Sequence, residues 1–232
     1  MCEAVSNEKI TGTFLVPTLL YRLLEHETAR DGSLSSLETV FYGAAPMSPT
    51  KLDELKGVFG SIFVQAYAAT EHLAISIAMM KDQHGEISGS LKHLASAGKP
   101  VPGIEIKLVN DDGTLTKRGE VGEILMRSRS TCLGYYKNPE KTEEEFTDGF
   151  WKSGDLARMD ENGFIYIVDR KKDLIITGGF NVYATEIEAA MSAHPAVMLS
   201  AAIGVPHEDW GEAIHGEVVL KDGASVSEKE FK

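Results

Sequence analysis

Residues 37–67 constrain the fold more than any other stretch of the chain. Residues 37–42 form a β-rich run that ends at Gly43. Residues 49–59 then repeat apolar side chains at helical spacing, with Lys51, Asp53, Glu54 and Lys56 on the wet side. Residues 61–67 are β-rich again. Strand, helix, strand with short connections predicts a βαβ unit of a parallel sheet. Functional loops in such a sheet sit at the C-terminal ends of its strands. Here those ends are Gly43-Ala44-Ala45-Pro46 and Ala68-Ala69-Thr70-Glu71. Residues 17–26 predict a further helix, with Pro17 suited to its first turn.

The pattern changes at Ala97-Gly98-Lys99-Pro100. Beyond it, short strands are predicted over 104–109, 121–127 and 163–168, with a hairpin turn at Asp111-Asp112-Gly113. This reads as a small β-rich body resembling a distorted barrel. A third region opens near Arg170. It holds a short strand over 174–177, a helix over 185–193, strands over 197–205 and 216–220, and a capping-box pattern, Ser225-Val226-Ser227-Glu228. Thr185 is the expected N-cap of the middle helix. Glu186 and Glu188 are expected in its first turn, where they complement the helix dipole. The fold class is therefore mixed α/β, divided as 1–98, 99–170 and 171–232.

The net charge is −12 over 232 residues, and 43% of them are hydrophobic. That is ample for a packed core, and it makes the chain a poor generic binder of nucleic acid or anionic membrane. Cys2 and Cys132 offer neither a disulfide framework nor metal-ligand spacing, which suits a reducing, cytoplasmic setting. No apolar run is long enough for a transmembrane segment, and the N-terminus lacks the features of a signal peptide.

Three motifs carry the chemistry. Trp151-Lys152-Ser153-Gly154-Asp155 places a carboxylate on a glycine turn. Asp169-Arg170-Lys171-Lys172-Asp173 is a charged link, and 178–188 is a glycine pair followed by a helix start. In this order, with Gln65-Ala66-Tyr67-Ala68-Ala69-Thr70-Glu71 upstream, the chain resembles the adenylate-forming enzymes, which include acyl-CoA synthetases, peptide-synthetase adenylation domains and beetle luciferases. The resemblance runs from about Ile10 to the C-terminus.

By that resemblance, Gly43, Ala44, Ala45 and Pro46 lie flat against adenine and Tyr67 packs on it. Thr70 bonds a phosphate oxygen, and Glu71 helps to hold a Mg²⁺ that bridges phosphates. Asp155 takes both ribose hydroxyls of AMP, because an ionised carboxylate offers two acceptor oxygens. Arg170 contacts the ribose or phosphate, and together with Asp155 it is expected to grip one sugar across a seam between two bodies that swivel. Lys172 marks the hinge, and Gly178 and Gly179 line the CoA tunnel. Ala68 departs from the family glycine, where a methyl would disfavour a positive φ. Lys171 reads as a solvated turn residue. His72, His207 and His215 read as ordinary surface or core groups.

The resemblance implies an acid–thiol ligase that uses ATP, Mg²⁺, CoA and a small carboxylic acid, most like fatty-acid–CoA ligases, compatible with a homo-oligomer. The Ser/Thr/Gly-rich phosphate loop and the catalytic lysine of the family are not found in these residues, so a fragment with little activity alone is expected. A carrier-loading adenylation domain, a luciferase-like oxygenase and a non-catalytic binding module are the alternatives.

Overall fold

The computed structural model describes residues 1–72, 75–85 and 92–227, so Glu228, the end of the predicted capping box, lies outside the described residues. The described residues form three sheets. The first contains β1 (Gly12–Leu15), β2 (Thr39–Gly43), β3 (Phe63–Tyr67), β4 (Ile77–Met79) and β5 (Lys99–Pro100), in that order. β1, β2 and β3 are parallel, while β4 and β5 join antiparallel. Helices α1 (Cys2–Glu8), α2 (Pro17–Glu25) and α3 (Pro49–Phe59) accompany it. The βαβ unit stands where the periodicity places it.

Both α2 and α3 start on proline, whose missing N–H would be an orphan donor there anyway. Ser48 caps α3 by accepting from Lys51 N. Leu20, Leu52 and Leu55 are buried together with Val40, Tyr42 and Phe63 in the main core. Each such leucine is worth about 2–5 kcal/mol against alanine.

The second sheet contains β6 (Glu105–Val109), β7 (Gly122–Arg127), β8 (Phe146–Thr147), β9 (Phe150–Met159) and β10 (Ile165–Arg170), with α4 (Pro139–Glu145) ahead of β8. Its order is β10-β9-β7-β6, with β8 also pairing to β9. This corrects the barrel-like expectation: the sheet is open. At the start of β10 one isolated bridge joins Ile165 to Gly98, just ahead of β5. Ile165 N donates to Gly98 O at 2.8 Å, and Ala97 N donates to Ile165 O at 2.8 Å.

The third sheet contains β11 (Ile175–Thr177), β12 (Phe180–Val182), β13 (Val197–His207) and β14 (Gly211–Leu220), in the order β12-β11-β14-β13, with α5 (Ala184–Ser192) on one face. β14 begins earlier than expected, because hairpin pairing with β13 continues to His207↔Gly211.

The start of α5 also corrects the sequence reading. Its N-cap is Tyr183, not Thr185, and only Glu186 lies in the first turn. The Thr185 hydroxyl donates to Val168 O and its amide donates to Asp169 Oδ2 at 3.4 Å, so the cap comes from β10. Glu188 lies beyond the first turn and accepts from Ala202 N at 3.1 Å. Among the described residues, no helix is long and apolar enough to cross a membrane.

Candidate functional site

The parallel strands β2 and β3 end side by side, with Gly43 registered against Ala66. A Cβ at Gly43 would stand 2.1 Å from Ala66 O, so only glycine permits this strand spacing. The next residue, Ala44, takes a positive φ of 64°. Ala68 does not, so the methyl that departs from the family pattern carries no backbone strain.

Asp155 is aimed by an irregularity in β9. Glu123 of β7 pairs with Leu156, and Leu125 pairs with Lys152. Two residues advance on β7 while four advance on β9, so Ser153-Gly154-Asp155 bulge out of the ladder. Bulges redirect side chains in this way, commonly beside functional sites. Gly154 supplies the φ of +70° that the bulge needs. The ladder bonds lost there are replaced locally: Gly154 N donates to Glu123 Oε1 at 3.3 Å, and Asp155 N donates to Ser153 Oγ at 3.0 Å.

The Asp155 side chain is only 16% exposed. Tyr67, at the end of β3, donates its hydroxyl to Asp155 Oδ2 at 2.5 Å. Arg170 pairs with Asp155 across the strands, with Nε 3.4 Å from Oδ1. Burial pushes the Asp155 carboxyl above its ordinary value. The Tyr67 hydroxyl and Arg170 oppose that shift, while Asp173 and Glu123 add to it. Tyr67 is pushed strongly up, first by burial and then by the Asp155 charge. The Arg170 side chain is 63% exposed, so its ion pair contributes little to stability and its guanidinium is free to turn towards a ligand.

Asp155 and Arg170 do meet, but not across a seam. They are neighbours on β9 and β10 of one sheet, and the link to the third sheet begins one residue later, in the 3-10 turn Lys171–Asp173. Lys171 is not a plain solvated turn residue either. Its Nζ lies 2.8 Å from Asp111 and 3.1 Å from Glu123.

Glu71 is held from the loop between β7 and α4. Tyr135 donates its hydroxyl to Glu71 Oε1 at 3.0 Å, and Cys132 N donates to Glu71 O at 2.8 Å. His72 is fully buried, with Nδ1 2.8 Å from Ser76 Oγ and Nε2 2.9 Å from Ser128 Oγ, as a structural histidine would be. His207 and His215 lie at the surface. Cys2 and Cys132 are free thiols.

One open cavity of about 2150 Å³ collects most of the predicted residues. Gly43, Ala44, Ala45, Pro46, Tyr67, Thr70, Glu71, Asp155, Arg170 and Lys172 all line it. Gly178 and Gly179 do not; they form the two-residue turn between β11 and β12, with φ of 56° and 83°. Sequence reasoning gave no site role to Glu123, Tyr135 or Asp169. A charged residue inside the apolar run 121–127 was the available signal for Glu123.

The donor set suits an adenine nucleotide: small residues at two strand ends, a desolvated carboxylate and an exposed guanidinium. Glu71 offers one hard oxygen group, which fits a Mg²⁺ that takes most of its ligands from phosphates and water.

The comparisons agree on the class. The family model described as AMP-binding enzyme matches residues 1–136, and that of the AMP-binding enzyme C-terminal domain matches residues 186–232. The chain belongs to the AMP-binding enzyme family, the adenylate-forming class that its motifs resemble. It is 42% identical over 224 residues to the medium/long-chain-fatty-acid–CoA ligase FadD8 of Mycobacterium tuberculosis, covering 97% of this chain and 38% of that protein. The amide bond synthetase McbA of Marinactinospora thermotolerans superposes with a TM-score of 0.90 at 35% identity, covering 99% of this chain and 46% of that one. The o-succinylbenzoate CoA synthetase of Bacillus subtilis, solved with its acyl-adenylate, gives 0.86 at 32% identity, covering 98% and 44%. The chain thus spans less than half the length of each.

Proposed function

We propose that this chain carries the nucleotide site and hinge of an acyl-CoA synthetase. In the whole reaction an acid, ATP and CoA give an acyl-CoA, AMP and pyrophosphate. The acid's carboxylate attacks the α-phosphorus and pyrophosphate leaves; the CoA thiol then attacks the acyl carbonyl and AMP leaves. A medium- or long-chain fatty acid is the favoured substrate, because the Mycobacterium ligase is named for that activity.

In this reading Asp155 accepts from both ribose hydroxyls and Arg170 swings to the ribose or phosphate. Gly43 to Pro46 and Tyr67 flank the adenine, and Thr70 donates to a phosphate oxygen. Glu71 would hold Mg²⁺, which supplies charge neutralisation between phosphates. Residues 171–232 turn about Lys172 against 1–98 and 99–170, bringing Gly178 and Gly179 to the thioester step. The observation that carries the reading is the desolvated Asp155 facing the same cavity as the strand ends at Gly43 and Tyr67.

The 232 residues contain no Ser/Thr/Gly-rich loop ending in lysine. The chain alone is therefore expected to bind nucleotide without adenylating efficiently, since positioning and charge neutralisation each supply large rate factors. Calorimetry with AMP and with a non-hydrolysable acyl-adenylate tests the reading. Saturable heat with both is expected, and no heat with either would refute it.

Tyr135→Phe should weaken Mg²⁺-dependent ATP binding about two- to tenfold, because one hydrogen bond orienting Glu71 is lost. Binding of AMP without Mg²⁺ should be unchanged, and titrations with and without the ion separate the two. A second reading replaces CoA by another nucleophile. It is kept because of the likeness to an amide bond synthetase. Supplying CoA or an amine to the whole enzyme and identifying the product distinguishes them.

A further inference from the structure

We infer that Glu123 is a positioning residue that couples the link after β10 to the Asp155 bulge. The inference rests on the AMP-site reading above. Glu123 divides its carboxylate between two segments. Oε1 accepts from Gly154 N at 3.3 Å, and Oε2 accepts from Lys171 Nζ at 3.1 Å. Its side chain is only 13% exposed. Gly154 is the middle residue of the bulge that aims Asp155. Lys171 opens the turn that joins the second sheet to the third.

The charge balance makes the coupling two-way. A largely buried carboxylate is costly without a cation beside it. Glu123 also lies close enough to Asp155 to push that carboxyl's ionisation up. While Lys171 sits on Glu123, the two nearby carboxylates have one more cation to share. When the 171–173 turn rearranges, Lys171 leaves, and Glu123 either draws more tightly on Gly154 N–H or repels Asp155 more strongly. Either response alters the bulge. Conversely, ribose hydroxyls bonded to Asp155 stabilise its charge and favour the state in which Lys171 is seated. Lys171 is held there from a second side by Asp111, at 2.8 Å. By reciprocity, nucleotide and link orientation then shift one another by the same factor.

Two variants separate the parts of this role. Glu123→Gln keeps an oxygen for Gly154 N–H but loses the charge that attracts Lys171. Glu123→Ala loses both. AMP affinity is read by calorimetry on the 232-residue chain. The link is read by the rate of tryptic cleavage at Arg170, Lys171 and Lys172, with and without AMP. In the wild type, saturating AMP should slow that cleavage at least fivefold. Glu123→Gln should bind AMP within about threefold of wild type yet lose most of the protection. Glu123→Ala should lose at least tenfold in affinity as well.

A merely structural role would lower the melting temperature of both variants and leave protection in step with AMP occupancy. Full protection in AMP-saturated Glu123→Gln, or wild-type affinity in Glu123→Ala, overturns the inference while leaving the AMP site standing. A wild-type chain that binds no AMP overturns both.

Discussion

Asp155→Ala is expected to reduce AMP affinity by roughly 10²–10⁴. In the proposed role Asp155 would make two charge-assisted hydrogen bonds to ribose hydroxyls, worth about 1.5–3 kcal/mol each, and each 1.4 kcal/mol is about tenfold in affinity. The fold should not suffer in parallel. Burial raises the Asp155 ionisation above its ordinary value, so the native state binds its proton more tightly than the unfolded chain does. At neutral pH the ionised group is therefore a net cost to the fold. Asp155→Asn keeps an acceptor for the Tyr67 hydroxyl while removing that charge. It should melt at or above the wild-type temperature and still bind AMP poorly. Calorimetry and thermal melts on the same samples give both values. A variant that loses stability and affinity together would place Asp155 in the core, not in a ligand site.

The second large effect concerns stability against pH. His84 is buried, with Nε2 3.0 Å from the Tyr42 hydroxyl and Nδ1 2.8 Å from Met80 O. Burial lowers its ionisation from 6.5 to about 4. Lys56 and His93 push it further down, while the Met80 carbonyl and Asp82 act against them. Between about 4 and 6.5 the unfolded chain binds this proton and the native chain does not. Stability therefore rises with pH across that window, is complete above it, and is lost as pH falls through it. The contribution is about 3 kcal/mol, because each tenfold difference in proton affinity between the two states is worth about 1.4 kcal/mol. Denaturant unfolding between pH 7 and pH 4 should show that loss in the wild type. His84→Gln should show a correspondingly flatter profile over the same window; an identical profile would mean that His84 is protonated in the fold.

The βαβ core was legible because the period switches from two to helical and back within residues 37–67, and nothing distant overrides it. Gly43 to Pro46 and Tyr67 to Glu71 were legible for the same reason, since strand ends follow from strands. What decides the aim of Asp155 was not legible. The bulge exists only once β9 pairs with β7, and register is a property of two strands. The cap of α5 failed similarly: Thr185 has the right side chain for an N-cap, but Asp169 reaches it from β10 and Thr185 turns to Val168 O, which a register shift in β10 accompanies. That the second sheet runs open from β10 to β6 was not legible either, because closure depends on which strands pair and not on local periodicity.

The most direct measurement is a structure of the chain with AMP bound. The ribose O2′ and O3′ are expected within hydrogen-bond distance of the Asp155 carboxylate, with the adenine between the Gly43–Pro46 loop and Tyr67. AMP seated elsewhere, with Asp155 still bonded only to Tyr67 and Arg170, would contradict the assignment of this cavity.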